Sequence, residues 1–372
     1  MRIVHCFRSP VGGIFRHVRD LCEAQVAAGH EVGIVCDSAT GGAFEDRLFA
    51  EIGAKLPLGV ARTPMQRHVG PGDIGAAWRT LKIIRRMHPE VLHGHGAKGG
   101  AYARLFGTAL RMSGRRIARF YSPHGGSLHY DANTAAGRFF FGLEAVMERF
   151  TDHIFFVSRY EQDAYQRKVG LPRSPTSLVY NGLKEAEFEP VNDAPDAADF
   201  LYVGMMRDLK GPDLFIAALK ETEQRTGRPL RAVMVGDGDD LPKYIAQAKA
   251  LGFGDRVTFH PAMPARRAFA LGRIMVVPSR AEAMPYIVLE ALAARKLLVA
   301  TAVGGIPEIF GQNAHMLVFP SVASLAEKMA TALQDEAAYR RQMPSDSEVR
   351  ARFGVEVMAE RIEAVYRETL SG

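Results

Sequence analysis

Short apolar runs recur from one end of the chain to the other, each followed by a longer stretch with helical spacing. This alternation constrains the fold more than any other feature. The runs Arg2–Phe7, Glu31–Cys36, Val91–His93, Ile117–Tyr121, Ile154–Val157 and Ser177–Tyr180 read as one series of strands. Phe200–Val203, Arg231–Val235, Arg256–Phe259, Ile274–Val277, Leu297–Ala300 and Met316–Phe319 read as a second. Several are rich in β-branched residues and show no apolar–polar alternation, as expected where helices cover both faces of a sheet. Strand–helix repetition at this spacing predicts parallel sheets joined by right-handed crossovers. The class is therefore α/β, built from doubly wound parallel sheets.

A seam divides the two series. After Asn181-Gly182 the chain turns acidic, carries Pro190 and Pro195, and is poor in large apolar residues until Phe200-Leu201-Tyr202-Val203 opens a new sheet. For a chain of 372 residues two domains are expected. We place a first domain at 1–182, a linker at 183–198, a second domain at 199–354 and a terminal helix at 355–372 that can pack back on the first domain.

Composition narrows the function classes. Hydrophobic residues make up 47% and charged residues 24%, as in globular proteins, which argues against a fibrous or disordered chain. Cys6, Cys22 and Cys36 are odd in number and lack C-x-x-C spacing, so they read as small buried hydrophobes of a reducing, cytoplasmic compartment. Met1–Phe7 reads as a strand rather than a secretory leader. The richest apolar segment, Ile287–Ile306, is interrupted by Glu290, Arg295 and Lys296, so no membrane span is expected. Up to Tyr180 there are 24 Lys and Arg against 15 Asp and Glu; beyond it there are 23 against 26. The basic first half suits phosphorylated substrates or an anionic membrane surface. A nucleic-acid groove is disfavoured, because the positive charge is dispersed and the chain has one Trp.

In open parallel sheets ligands bind beyond the carboxyl ends of the strands, so the segments after each strand are the candidate sites. The first is Pro10-Val11-Gly12-Gly13, leading into a helix, where Gly12 and Gly13 allow close backbone approach and free N–H groups can meet an anion. His93-Gly94-His95-Gly96 follows the third strand, its histidines offering polar ligands to a substrate; for zinc, a Cys or carboxylate partner is lacking nearby. Ser122-Pro123-His124-Gly125-Gly126 holds a histidine on a restricted loop, placed to hydrogen-bond a sugar hydroxyl. Ser158 and Glu161 form a capping box and read as structural. In the second half, Gly204-Met205-Met206-Arg207-Asp208-Leu209-Lys210-Gly211 sets Arg207 and Lys210 before a helix, as a diphosphate requires. Gly236 lies in a glycine turn, Gly236-Asp237-Gly238, that either accommodates a nucleobase or turns the chain. Ser279–Glu290 is the most specific stretch: Glu282 falls in a loop, Pro285 at a helix start and Glu290 within the helix, and a folded-back loop can aim both carboxylates at one ligand.

Together these residues resemble family 4 glycosyltransferases. Glu282 and Glu290 match the E-x7-E pattern, and Gly204 with Lys210-Gly211 is similar to the family's phosphate loop. Pro285-Tyr286-Ile287-Val288-Leu289-Glu290-Ala291 and Gly304-Gly305-Ile306-Pro307-Glu308 are similar to the family's wording, as are Gly12-Gly13, Gly29-His30-Glu31-Val32, His124-Gly125 and Val235-Gly236-Asp237-Gly238, and these motifs are ordered along nearly the whole chain. The resemblance implies the GT-B fold, with two Rossmann-like doubly wound domains facing across a cleft, an acceptor-binding first domain and a donor-binding second. It implies retention of anomeric configuration and no bound metal or other cofactor, with a nucleotide diphosphate sugar (UDP- or GDP-linked) as donor substrate. His124, Lys210 and Glu282 take the catalytic positions. Gly12, Gly13, Arg207, Lys210, Gly236, Glu282, Met284, Pro285 and Glu290 bind the donor, with Glu290 on the ribose and Glu282 on the transferred sugar. Two departures stand out: Met205 sits where the family commonly has Arg, leaving Arg207 to substitute, and Lys184 replaces the usual Asp after Asn-Gly-x.

The expected acceptor is a saccharide or lipid-linked saccharide, in polysaccharide or glycolipid biosynthesis. The cationic residues Arg79, Lys82, Arg85 and Arg86 near Trp78, and Arg104, Arg111, Arg115, Arg116 and Arg119, suggest peripheral contact with an anionic membrane at the inner face of the cell membrane. The alternatives are a sugar-nucleotide epimerase or glycoside phosphorylase of the same fold, or a catalytically silent nucleotide-binding module. A nicotinamide-dependent dehydrogenase is disfavoured by the lack of a complete G-x-G-x-x-G fingerprint.

Overall fold

The computed structural model describes residues 1–9, 12–65 and 72–372, so Pro10 and Val11 of the first glycine loop lie outside it. The chain divides into two compact units, Met1–Gly182 with Val355–Gly372, and Leu183–Gly354.

The first unit is a seven-stranded sheet of β1 (Arg2–Phe7), β2 (Glu31–Asp37), β3 (Val60–Thr63), β4 (Val91–His95), β5 (Ala118–Ser122), β6 (His153–Phe156) and β7 (Thr176–Leu178). Its order is β3-β2-β1-β4-β5-β6-β7 and every pairing is parallel. Successive residues of a strand serve opposite faces. Ile3 joins Val32, Val91 and Phe120 under the helices Gly12–Ala27 and Val355–Ser371, whereas Val4 and Cys6 join Leu92 under the helix Gly96–Met112. Both faces are covered, which is why these strands read as unbroken apolar runs. The terminal helix contributes Met358, Ile362 and Tyr366 to the first of these cores. All three cysteines are buried and unpaired.

The second unit holds β8 (Ala198–Val203), β9 (Ala232–Val235), β10 (Val257–His260), β11 (Gly272–Val277) and β12 (Leu297–Ala300), in the parallel order β10-β9-β8-β11-β12. Chain order therefore reverses direction between β1 and β4 in one sheet and between β8 and β11 in the other. At such a switch point the outgoing loops diverge and leave a crevice for a ligand.

Three sequence expectations need correction. Met316–Phe319 is not a strand: Gly311–Met316 is a 3-10 turn, Val318 makes a single bridge to Thr301, and Phe319 stands in solvent before Pro320 ends the run. Conversely Val60–Thr63, four residues of mixed character, pairs with β2 at the sheet edge. The segment placed as a linker is not a free spacer. Leu183 and Phe188 are buried, Val191 N–H donates to Ala294 O at 3.0 Å, Ala194 N–H donates to Ala270 O at 2.8 Å, and β8 already begins at Ala198. The segment satisfies its backbone along the second unit.

Candidate active site

In the second unit the switch point brings two loops together. After β8 the chain passes through Gly204–Arg207 and a 3-10 turn, Asp208–Lys210, and Gly211 then caps the helix Pro212–Thr226. After β11 it runs through Ser279 and Glu282 to the helix Tyr286–Ala293, for which Pro285 is the N-cap. The Lys210 ammonium meets both carboxylate oxygens of Glu282, at 2.6 and 2.7 Å, and Ser279 Oγ donates to Glu282 Oε1 at 2.7 Å. Glu282 is only 8% exposed, whereas Lys210 retains a solvent-facing side. Lys210 and Glu282, 72 positions apart in sequence, thus form one charged group.

The loop bearing Glu282 is held by close backbone packing. Gly304 has φ +59°, and a Cβ there would lie 1.7 Å from Glu282 O, so only glycine fits. Gly305 N–H donates to Ala283 O at 2.9 Å, and Thr301 Oγ1 donates to Ser279 O at 2.7 Å. Gly236, at the carboxyl end of β9, packs against the loop that follows β8: a Cβ would meet Gly204 O at 1.9 Å. Met284 and Pro285 are buried and Glu290 is half-buried on the following helix. Arg207 is exposed and, among the described residues, makes no ion pair; Met205 is also exposed, its carbonyl accepting from Tyr202.

The first unit assembles histidines at its own switch point. His5 on β1 lies in register with His93 on β4, and Phe7 with His95. His5 Nδ1 is 3.0 Å from His95 Nε2, and His95 Nδ1 is 3.0 Å from His124 Nε2. His5 Nε2 meets Gln25 Oε1 at 2.8 Å. His93 bridges Tyr366 Oη, at 2.5 Å, and Ser122 Oγ, at 2.8 Å. His17 contacts Asn181 Oδ1 at 3.0 Å, and its ring lies edge-on to His124 at 4.6 Å. Burial depresses the basicity of the whole group. His5 and His17 fall to about 4, while His93, His95 and His124 lie well below the ordinary imidazole value, the neighbouring rings adding to the effect.

This arrangement corrects one expectation. His93 and His95 are buried and hydrogen-bonded within the protein, so neither offers a ligand to a substrate. His124 is the partly exposed member, with φ +50° beside Gly125 at +76°. By spacing His5, His93 and His95, or His17, His95 and His124, could embrace a cation, but several of the facing nitrogens already hydrogen-bond one another. Gly12 has φ +69° and, with Gly13, opens the helix Gly12–Ala27.

Sequence reasoning missed His5, His17, Gln25 and Tyr366, which are scattered in sequence and carry no motif. It also read Glu161 too narrowly. Besides receiving the Ser158 cap on its own N–H, the buried Glu161 carboxylate accepts from Gly125 N–H and from Val157 N–H at 3.0 Å, and so holds the His124 loop. The second cationic cluster is also corrected. Arg104 is buried against Glu144, and Arg119 and Arg111 share Asp152, so these three are engaged within the unit, while Arg116, bonded to Leu370 O, stays exposed.

Comparison with known proteins adds an independent line. Residues 11–187 match the model of Glycosyltransferase Family 4 and residues 184–348 that of Glycosyl transferases group 1. The alpha-D-kanosaminyltransferase of Streptomyces kanamyceticus is 28% identical over 321 residues, covering 78% of this chain and 80% of that protein. The putative teichuronic acid biosynthesis glycosyltransferase TuaC of Bacillus subtilis is 25% identical over 285 residues, covering 73% and 68%. Among solved structures, Anabaena HepE in complex with UDP-glucose superposes with a TM-score of 0.78 at 17% identity, over 98% of this chain and 99% of that one. The sucrose-phosphate synthase of Thermosynechococcus elongatus gives 0.77 at 19%, over the whole of both chains. Two parallel-sheet units, the paired Lys210 and Glu282, and adjoining matches to two glycosyltransferase models agree: the chain belongs to the family 4 glycosyltransferases and is a glycosyltransferase of the GT-B fold.

Proposed function

We propose that the chain transfers a sugar, with retention of anomeric configuration and without a metal ion, from a UDP- or GDP-sugar to a saccharide or lipid-linked saccharide. The unit Leu183–Gly354 takes the donor and the unit Met1–Gly182 the acceptor. The observation that carries this reading is the Lys210–Glu282 pair at the switch point beside the start of the helix Pro212–Thr226. HepE has been crystallised with UDP and with UDP-glucose, which supports a nucleotide-sugar donor here.

As the glycosidic bond breaks, its electron pair passes to the diphosphate oxygen. Lys210, Arg207 and the first N–H groups of the helix Pro212–Thr226 stabilise that charge, the role a divalent ion plays elsewhere. Glu282 receives hydroxyls of the transferred sugar beside Met284 and Pro285, and Glu290 those of the ribose. Gly236 gives room at the nucleotide, while Gly12 and Gly13 offer backbone N–H groups and His124 meets the sugar near the reacting carbon. The acceptor oxygen attacks from the face the phosphate leaves, and its proton passes to the departing phosphate oxygen. Nucleotide release from a panel of UDP- and GDP-sugars, without added metal, tests this reading. Release from one donor, insensitive to chelator and lost in Lys210→Ala, is the expected result. Silence across the panel with membrane extract as acceptor overturns it.

The acceptor reading extends to the inner face of the cell membrane, in polysaccharide or glycolipid biosynthesis. No helix among the described residues is long and apolar enough to cross a membrane. The helix Ala135–Met147, however, exposes Phe139 (66%), Leu143 (44%) and Val146 (50%) at helical spacing, with Arg138 and Arg149 exposed beside them. Trp78 is also exposed, with Lys82 stacked over its ring at 3.3 Å. Apolar side chains bordered by cations suit an anionic lipid surface.

A further inference from the structure

The imidazoles of His5, His95 and His124 stand in series, ending at Gln25. Each N···N contact of 3.0 Å holds one proton, so the tautomer of one ring sets that of the next. The direction comes from the buried end. Gln25 Oε1, an amide carbonyl oxygen, can only accept, so at 2.8 Å His5 must offer Nε2–H. His5 Nδ1 is then a lone pair that receives Nε2–H of His95, and His95 Nδ1 in turn receives Nε2–H of His124. Nothing in this series is a proton sink, because an amide neither gains nor loses a proton. The series orders a side chain rather than conducting.

We propose that Gln25 is a positioning residue which, through His5 and His95, fixes His124 as the neutral Nε2–H tautomer and presents its Nδ1 lone pair as an acceptor for a hydroxyl of the bound sugar. The inference rests on the reading of His124 as a sugar contact. The buried setting supports it: His5 and His95 are closed to solvent, and Glu161 holds the loop through Gly125. A hydroxyl that donates to Nδ1 keeps its oxygen lone pairs for other partners. A sugar analogue lacking that hydroxyl leaves Nδ1 unpaired.

The test reads tautomers and rates separately in the full-length protein. Long-range proton–nitrogen NMR of histidine-labelled protein at pH 7 is expected to find His5, His95 and His124 neutral and protonated on Nε2. A His124 carrying its proton on Nδ1, or an imidazolium, overturns the proposal whatever the activity. Gln25→Met removes the accepting oxygen and is expected to leave His124 a tautomer mixture. Gln25→Glu keeps an accepting oxygen against His5 Nε2–H and is expected to preserve the tautomers and the rate. Gln25→Met should lose about tenfold in kcat with the donor KM unchanged, the scale of one lost hydrogen bond. A merely structural role predicts instead that Gln25→Met lowers stability while His124 keeps its proton on Nε2 and kcat is unchanged, and that result overturns the positioning role. If the tautomers are as stated but His124→Ala turns over normally, the reading of His124 as a sugar contact fails and the positioning role with it, while the tautomer assignment stands.

Discussion

The ammonium of Lys210 lies 2.6 and 2.7 Å from the two carboxylate oxygens of Glu282, so a cation and an anion from two separate loops neutralise each other at the switch point of the second sheet. Under the proposed function, donor binding exchanges the partners: phosphate takes the lysine and sugar the glutamate. This arrangement keeps Glu282 paired while it is buried, where an isolated carboxylate would be costly.

Lys210→Ala should therefore have two consequences. Loss of a charge-stabilising donor should lower kcat on the order of 10²–10³-fold. Glu282, left with the hydroxyl of Ser279, should lower the unfolding free energy by about 1–3 kcal/mol. Glu282→Gln removes the buried charge and should cost less stability while still impairing turnover. Nucleotide-release kinetics and urea denaturation of the two variants check the pair of effects; a Lys210→Ala protein of unchanged rate would sink the assignment.

The histidine cluster makes the first unit acid-sensitive. His5 and His17 have folded values of about 4, depressed from 6.5 by burial, so between pH 6.5 and 4 the unfolded chain binds more protons than the folded one. The contribution of these two groups should be constant above pH 6.5, fall as pH drops through that window, and level off below 4. Each of the two groups accounts for roughly 3 kcal/mol across the window. Denaturant titrations at half-unit pH steps should give a rising slope only below 6.5. A profile flat down to pH 4.5 would contradict the buried, neutral cluster.

Most strands, and the two segments that meet as Lys210 and Glu282, stand out in the sequence because their signals are local. The apolar run Phe200–Val203 before Gly204, Lys210-Gly211 beginning six positions after that glycine, and Glu282 eight positions before Glu290 each stand out within about a dozen residues. The histidine series does not, because Gln25, His5, His95 and His124 meet only when β1, β4, β5 and the first helix converge. Val60–Thr63 was missed because an edge strand of four residues needs only its neighbour's free backbone. Arg104 reads on paper as one more surface cation; burial beneath the Ala135–Met147 helix makes it a structural residue.

The apolar stripe of that helix should govern membrane attachment. Phe139→Glu with Leu143→Glu changes exposed positions only, so melting temperature should stay within a few degrees while co-sedimentation with anionic vesicles drops several-fold. High salt should weaken binding of the wild type by screening Arg138 and Arg149 without abolishing the apolar part. Equal sedimentation of wild type and double variant would remove this helix from the proposed surface.

The same helix depends on a buried ion pair. Arg104 Nη1 lies 2.9 Å from Glu144 Oε2, its Nε donates to Gly100 O at 3.0 Å, and its guanidinium stacks on Tyr121 at 4.0 Å. Glu144 also accepts from Tyr121 Oη at 2.9 Å and Ser127 Oγ at 3.0 Å. Removing one member leaves a buried charge unpaired, so Arg104→Met should destabilise by about 3–5 kcal/mol. Arg104→Met with Glu144→Met should be less harmful than Arg104→Met alone, because the desolvated charge leaves with its partner. The double variant should nevertheless loosen the helix, since Tyr121 and Ser127 lose their common acceptor. Hydrogen exchange of residues 135–147, measured beside the melting temperature, separates the two effects. Faster exchange there with a partly recovered melting temperature is the expected pattern. A double variant no more stable than the single one would mean that the hydrogen bonds to Glu144, rather than its charge balance with Arg104, hold the helix in place.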